Sequence, residues 1–251
     1  MSCKNVLQST ANKGTPEAIL YQAKLELNEK DYATAIRLLE TLETSFLSRR
    51  DVALIYASAY SGRCGLEFIP FVEALSSIGS NSLFPFLMET FVEGTDENIE
   101  DCQFSESILM NLGDHTQRLS DENILMGFSS LTKVGTILSR YFDLDGDGIA
   151  DAGADHCDDT DFPEAFVREI GTGMANAILS INAVASDISS DALADITSYC
   201  NMDVNLNVFC TNTDPTSYTA LEVRALRQLV GSSDLGVGTC GNFTDLACVC
   251  P

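Results

Sequence analysis

The sequence is poor in the residues on which many enzymes and nucleic-acid-binding proteins depend. Its 251 residues include no tryptophan, two histidines and only 14 lysines and arginines, against 37 aspartates and glutamates. The formal net charge of -23 at pH 7 repels phosphate groups, so we expect no nucleic-acid partner and no electrostatic docking on anionic lipid. Two histidines leave little acid–base or transition-metal chemistry, and we expect no enzymatic activity. No apolar run reaches the roughly 18 residues that a membrane-spanning helix requires.

Hydrophobic residues nevertheless make up 45% of the chain, which is enough to build a folded core. Apolar residues recur at helical spacing along most of its length, so we predict an all-α fold. We expect helical hairpins over residues 15–92 and a helical region over 93–251, which either forms a second unit or shares one domain with the first. Beyond the hairpins, the predicted helices cover residues 82–92, 105–112, 121–141, 164–181, 190–199 and 218–230.

The N-terminal helices are arranged as a repeat. Thr15, Pro16 and Glu17 combine an N-cap residue, a proline at the first helical position and an acid in the first turn, which predicts a helix start. Similar residues then recur at a spacing of 34, the period of tetratricopeptide repeats. The pairs at this spacing are Leu20 and Leu54, Ala23 and Ala57, Tyr32 and Leu66, and Leu38 and Val72.

The segment Lys30-Asp31-Tyr32-Ala33-Thr34-Ala35-Ile36 resembles the turn into the second helix of a tetratricopeptide repeat. The chain departs from that pattern where Lys30 replaces the turn glycine and Leu47 replaces the closing proline. The resemblance covers residues 15–77 and is similar to the opening of outer-membrane lipoproteins of the BamD type. It implies a groove that binds a protein partner in the cell envelope. A plain pair of α-hairpins with the same apolar stripe is the alternative.

Cysteine usage points to an oxidising compartment. The nine cysteines do not form the repeated C-x-x-C pairs of zinc sites, and histidines are too few to complete such sites. Setting Cys3 aside leaves an even number, which we expect to form disulfides whose pairing the sequence does not resolve. Cys248 and Cys250 are only two residues apart, so we expect each to have another partner. The eight disulfide candidates are Cys64, Cys102, Cys157, Cys200, Cys210, Cys240, Cys248 and Cys250.

Cys3 follows a small residue and precedes a polar stretch, which resembles the mature N-terminus of a bacterial lipoprotein. This resemblance implies a lipid on Cys3, a tether over residues 1–14, and membrane attachment through that lipid alone. Lys4 stands where an aspartate would resemble an inner-membrane retention signal, so we expect the periplasmic side of the outer membrane or the cell surface. A free or disulfide-bonded N-terminal cysteine is the alternative.

Residues 143–151 carry alternating carboxylates, in the order Asp-Leu-Asp-Gly-Asp-Gly-Ile-Ala-Asp. Acids at the first, third and fifth positions converge when the chain coils, and the glycine at the sixth position, Gly148, permits the turn. The pattern resembles an EF-hand-like loop and thrombospondin type 3 calcium repeats, which implies bound Ca²⁺ of structural rather than signalling use. A solvated acidic loop is the alternative reading.

The resemblance assigns the calcium ligands within residues 143–155. Ala154 occupies the twelfth position, where an EF-hand has its glutamate, and Asp155 is the expected substitute. We expect side-chain oxygens from the aspartates and a backbone carbonyl from the isoleucine. The predicted ligands are Asp143, Asp145, Asp147, Ile149, Asp151 and Asp155.

These features together predict a lipid-anchored, calcium-stabilised helical protein that assists assembly or binds another protein in the envelope. A solute-binding or transport accessory lipoprotein with a pocket between helices is the first alternative, and a calcium-dependent hydrolase is the second. Gly171-Thr172-Gly173 lacks the strand and the full glycine pattern of a nucleotide loop. We therefore expect these glycines to serve helix packing.

Overall fold

A computed structural model describes residues 14–76, 83–92, 94–184, 200, 205–233 and 235–250. These residues contain ten α-helices and no β-strand, so the all-α prediction is confirmed. None of the described helices has the length and apolar character needed to span a bilayer. Cys3, all but the last residue of the expected tether, and the predicted helix at 190–199 lie outside the described residues.

The ten helices follow one another along the chain with short connections. They are α1 (Pro16–Asn28), α2 (Tyr32–Leu39), α3 (Thr44–Leu47), α4 (Arg50–Cys64), α5 (Phe68–Ser76), α6 (Leu83–Thr90), α7 (Asp96–Met110), α8 (Ser120–Phe142), α9 (Glu164–Ala183) and α10 (Ala220–Gly231). Three short 3₁₀ helices, Asn207–Cys210, Pro215–Ser217 and Leu246–Cys248, belong to the C-terminal region.

Local capping sets several of these boundaries. The Thr15 side chain accepts a hydrogen bond from the Ala18 amide and starts α1, as the sequence predicts. α7 begins nine residues before its predicted start at 105, because Thr95 caps it through the Asn98 amide. Its first two turns are mostly polar, so apolar residues recur there too rarely for the sequence pattern to predict a helix.

The first hairpin has the expected form. α1 and α2 pack against each other, and Ala23 is fully buried, as is its counterpart 34 residues later, Ala57. Lys30, which replaces the turn glycine of the repeat pattern, has a φ of 60°. That value lies in the left-handed region, which glycine adopts readily and residues with a Cβ adopt rarely.

The second hairpin differs from the expectation. α4 makes its most extensive contacts with α7, and α5 is not among its main packing partners. A disulfide joins α4 to α7 through Cys64 and Cys102, and the Ser61 hydroxyl lies 2.7 Å from that of Ser105. These small side chains let α4 and α7 approach closely, whereas α5 is short and contains Pro70.

The core has a large and a small part. The small cluster joins α1, α2 and α4 around Leu39, Val52 and Ala59. The large cluster surrounds α8, which contacts α6, α7 and α9 and is buried along most of its length. Gly171 and Gly173 serve helix packing as predicted, since added Cβ atoms would lie 2.6 Å from the Tyr218 hydroxyl and 2.8 Å from Val134.

Candidate functional site

The acidic loop begins directly at the end of α8. Asp143 is the C-cap residue of that helix and is buried, with only 4% of its surface exposed. The amide of Asp151 donates to the Phe142 carbonyl at 2.6 Å, and the Asp151 carboxylate accepts from the Leu144 amide at 2.7 Å. These bonds close residues 143–151 into a compact turn.

Backbone amides inside the loop donate hydrogen bonds to the carboxylate of its first residue, Asp143. The two Asp143 oxygens accept from the amides of Asp147 and Gly148, each at 3.0 Å. Gly146 and Gly148 have φ values of 73° and 82°, a conformation that residues with a Cβ rarely adopt. The glycine at the sixth position thus makes the turn that the sequence pattern requires.

Asp143, Asp145 and Asp147 are brought together. One carboxylate oxygen from each lies within 4.8 Å of the other two. Two ligands on opposite sides of one Ca²⁺, each about 2.3–2.6 Å from it, stand roughly 5 Å apart, so this spacing fits a shared ion. Oxygen donors alone suit a hard cation, and the charge of the ion would offset the repulsion among the three carboxylates.

The two other predicted carboxylate ligands, Asp151 and Asp155, lie outside this group of three. The Asp151 carboxylate closes the loop instead, and the Asp155 carboxylate accepts from the Cys157 amide at 2.8 Å. The Ile149 side chain is 69% exposed, as expected for a residue that would contribute only its carbonyl. The structure therefore brings three of the five predicted carboxylate ligands into one group.

The segment after the loop is attached to the C-terminal region. Cys157 forms a disulfide with Cys250, and the buried Arg227 of α10 donates to the His156 carbonyl at 2.8 Å and pairs with Asp159. Gly231 makes room for the His156 ring, since a Cβ there would lie 2.2 Å from it. The sequence contains no spacing that would have identified Arg227 as a partner of this segment.

All eight disulfide candidates are paired, which confirms that prediction, and Cys248 and Cys250 do not pair with each other. The bonds are Cys64–Cys102, Cys157–Cys250, Cys200–Cys210 and Cys240–Cys248.

A cavity of about 930 Å³ opens beside the loop. The loop contributes Asp143 and Asp145 to its lining, and α7 and α8 contribute Asp96, Glu97 and Arg140. Arg140 Nε lies 3.0 Å from Asp96 Oδ1, so this cation is already paired. The lining is acidic and open to solvent, and it contains neither histidine nor cysteine.

A second cavity, of about 420 Å³, lies between the N-terminal hairpin and the start of α8, and we call it the N-terminal groove. Most of its lining is apolar, and Phe68 of α5 stands at its edge with 42% of its surface exposed. The lining residues are Leu27, Tyr32, Leu54, Ser58, Ser61, Gly62, Leu66, Phe68, Asp121, Ile124 and Leu125.

Gly62 shapes one wall of the N-terminal groove. A Cβ at this position would lie 2.2 Å from the Tyr32 ring, so only glycine lets the ring pack flat against α4. This contact joins α2 to α4. The N-terminal groove is therefore built by α1, α2, α4 and α5 together with α8.

A charged cluster lies in the core, away from both cavities. The ammonium group of Lys133 in α8 is 2.5 Å from Glu106 of α7 and 2.6 Å from Glu169 of α9. Ser130 donates to Glu106 at 2.6 Å, and Thr172 lies 3.2 Å from the ammonium group. Sequence reasoning missed this cluster because its members are far apart in the chain and show no local spacing.

Comparison with known proteins provides no relative from which a function could be transferred: no family model, no curated protein and no solved structure matches the chain.

Proposed function

We propose that this protein is a helical interaction protein of the cell envelope, which docks a protein partner in the N-terminal groove. The observation that carries the proposal is the groove itself, an open and mostly apolar cavity between the repeat-like helices and α8. Exposed apolar surface continues beyond it on α5, where Ile69 is 68% and Val72 is 37% exposed. Contiguous apolar surface on a protein with so high a charge favours a binding site.

Three features support the envelope as its location. Four disulfides are typical of an oxidising compartment. The sequence around Cys3 supports a lipid anchor on that residue, and Lys4 supports the outer membrane rather than the inner one. The strongly negative charge leaves the lipid as the means of membrane attachment.

Calcium would serve this protein as a structural ion. Asp143, Asp145 and Asp147 would hold it, and the adjoining segment is attached to α10 and to the C-terminal region. Because the ion would bind the folded loop far better than the unfolded chain, it would stabilise the fold. Because the disulfide and Arg227 hold the adjoining segment in place, the loop favours a permanently bound ion over one that binds and dissociates as a signal.

Site-specific photocrosslinking tests the docking proposal. A photoreactive phenylalanine analogue at position 58 lies in the N-terminal groove, and the same analogue at Ser45, on the exposed surface of α3, is the matched control. In cells that make the protein naturally, we expect a discrete protein adduct from position 58 and none from position 45. Equal adducts from both positions, or none from position 58, would contradict the proposal.

The cavity also gives the solute-binding alternative a specific basis, because about 420 Å³ is the size of many small-molecule sites. Native mass spectrometry of the purified protein separates the two functions. A small molecule that co-purifies with the protein and is lost in Ser58→Trp, without a protein adduct from position 58, would establish the alternative.

A further inference from the structure

We infer that the partner segment in the N-terminal groove is an amphipathic helix whose apolar face is bordered by lysines or arginines. This inference rests on the proposed function and specifies the chemistry of the partner. Three observations carry it, namely the apolar floor of the groove, the internal hydrogen bonds of the two serine hydroxyls on that floor, and the sign of the charges at its edge.

The apolar floor requires apolar side chains from the partner. Leu27, Leu54 and Ile124 contribute aliphatic surface from three different helices, and Phe68 covers one end. The Phe68 ring is held against Phe128 in an edge-to-face contact, with ring centroids 5.1 Å apart. The ring is therefore a fixed, half-exposed wall against which a partner side chain can pack.

The two serine hydroxyls in the groove already make hydrogen bonds within the protein. The Ser58 hydroxyl donates to the Leu54 carbonyl at 2.8 Å, and the Ser61 hydroxyl donates to the Ala57 carbonyl at 3.0 Å. An extended peptide brings backbone groups that need hydrogen-bond partners, and the apolar residues and internally bonded serines of this floor do not offer them. A helix satisfies its own backbone and presents side chains alone, so the floor favours a helix.

The edge of the groove is acidic. Asp121 lines it, and Asp31 and Glu67 are adjacent in sequence to its lining residues Tyr32 and Phe68. Lys30, two residues before Tyr32, pairs with Glu67 at 2.7 Å, so these two charges offset each other and Asp31 and Asp121 leave the edge negative. No lysine or arginine is among the lining residues that the structure describes. This sign of charge attracts a cationic partner and repels an anionic one.

Peptide binding to the full chain tests the inference. The probe is a fluorescent 18-residue helix of leucine and lysine with all leucines on one face. One comparison peptide has glutamate in place of lysine, and another has the leucine–lysine composition in scrambled order. Binding is measured by fluorescence anisotropy at physiological ionic strength, where weak surface attraction is screened.

We expect the leucine–lysine helix to bind, and Ser58→Trp, which fills the groove, to weaken it by roughly tenfold or more. Phe68→Ala should weaken binding in the same direction by removing the wall, which provides a second variant if Ser58→Trp does not fold. Asp121→Asn keeps an oxygen for the Glu122 amide and should weaken binding by a smaller factor. Ser45→Trp, the control, should leave the affinity unchanged.

The other outcomes distinguish the inference from the proposed function. Equal binding of the scrambled peptide, insensitive to Ser58→Trp, would show general attraction to the acidic surface and would overturn the inference. Groove-dependent binding of the leucine–glutamate helix at equal or higher affinity would also overturn it, while docking in the groove would stand. The proposed function fails separately, through the absence of an adduct from position 58.

Discussion

Lys133 is a buried cation, since its side chain is 1% exposed and its ammonium group contacts two carboxylates. Burial alone would lower its pKa, but the charges of Glu106 and Glu169 outweigh burial and raise the pKa above 10.5. Because the pKa of Lys133 is raised in the folded state, its ion pairs with Glu106 and Glu169 stabilise the fold fully below pH 10.5. This stabilisation is lost as the pH rises through the folded-state pKa of Lys133.

Lys133→Met should therefore be strongly destabilising, because it leaves two buried carboxylates without a cation. We expect the free energy of unfolding, measured by urea denaturation, to fall by about 3–5 kcal/mol at neutral pH. The additional changes Glu106→Gln and Glu169→Gln should restore part of the loss by removing the unpaired charges. Lys30→Met, which breaks the exposed Lys30–Glu67 pair, is the control and should have little measurable effect. A similar loss in both single variants would contradict this account of Lys133.

Glu122 offers a test at acidic pH. Its carboxylate receives two hydrogen bonds from Arg50, at 2.7 and 2.8 Å, and one from the Leu119 amide at 2.7 Å. The hydrogen bonds from Arg50 are the main reason that the pKa of Glu122 lies below the ordinary 4.5. This pairing stabilises the fold above that ordinary value, and the stabilisation is lost as the pH falls through the lower, folded-state pKa.

We expect Arg50→Gln to raise the pKa of Glu122, as followed by NMR titration of its side-chain carboxyl carbon. Arg49→Gln is the matched control, because Arg49 pairs with Asp51 instead. An unchanged pKa in Arg50→Gln would show that the Leu119 amide, rather than the guanidinium, sets the value.

At the scale of elements, the acidic loop is the part most open to a direct test. Calcium at a hundred times its dissociation constant should stabilise the fold by about 2.7 kcal/mol, so a chelator should lower the melting temperature. Asp145→Ala removes one of the three converging oxygen donors, and it should abolish the difference between the melting curves with calcium and with chelator.

Asp161→Ala is the matched control for the loop, because Asp161 belongs to the same acidic segment but lies outside the group of three. It should keep the full response to chelation. Melting curves that do not respond to calcium in the unaltered protein would contradict the proposed ion.

The elements themselves could be predicted from sequence more fully than their packing. α1, α2, α4 and α8 follow from apolar period and capping residues, which act within a few positions of the chain. The pairing of α4 with α7 could not be predicted, because it depends on Ser61, Ser105 and a disulfide between distant residues. The same holds for the Lys133 cluster, whereas Asp143, Asp145 and Asp147 were found because their spacing is local.

At the scale of the whole molecule, four disulfides hold together a chain whose net charge of -23 opposes compaction. In a Cys3→Ser variant, we expect no reactive thiol under denaturing conditions without reductant, and eight after reduction. Quantitative thiol labelling followed by mass spectrometry provides the count. Two or more thiols before reduction would contradict the pairing and the oxidising compartment inferred from it.

The Cys157–Cys250 bond has a consequence for the fate of the protein under proteolysis. The two cysteines are 93 residues apart in the sequence, and the segment between them includes all of α9 and α10. A protease that cuts the main chain once between these cysteines would not release a fragment, because both pieces remain joined through sulfur. The nicked protein would keep its mass apart from one added water. After one such cut, separation of the two pieces would therefore require a second break, at the disulfide or at another peptide bond.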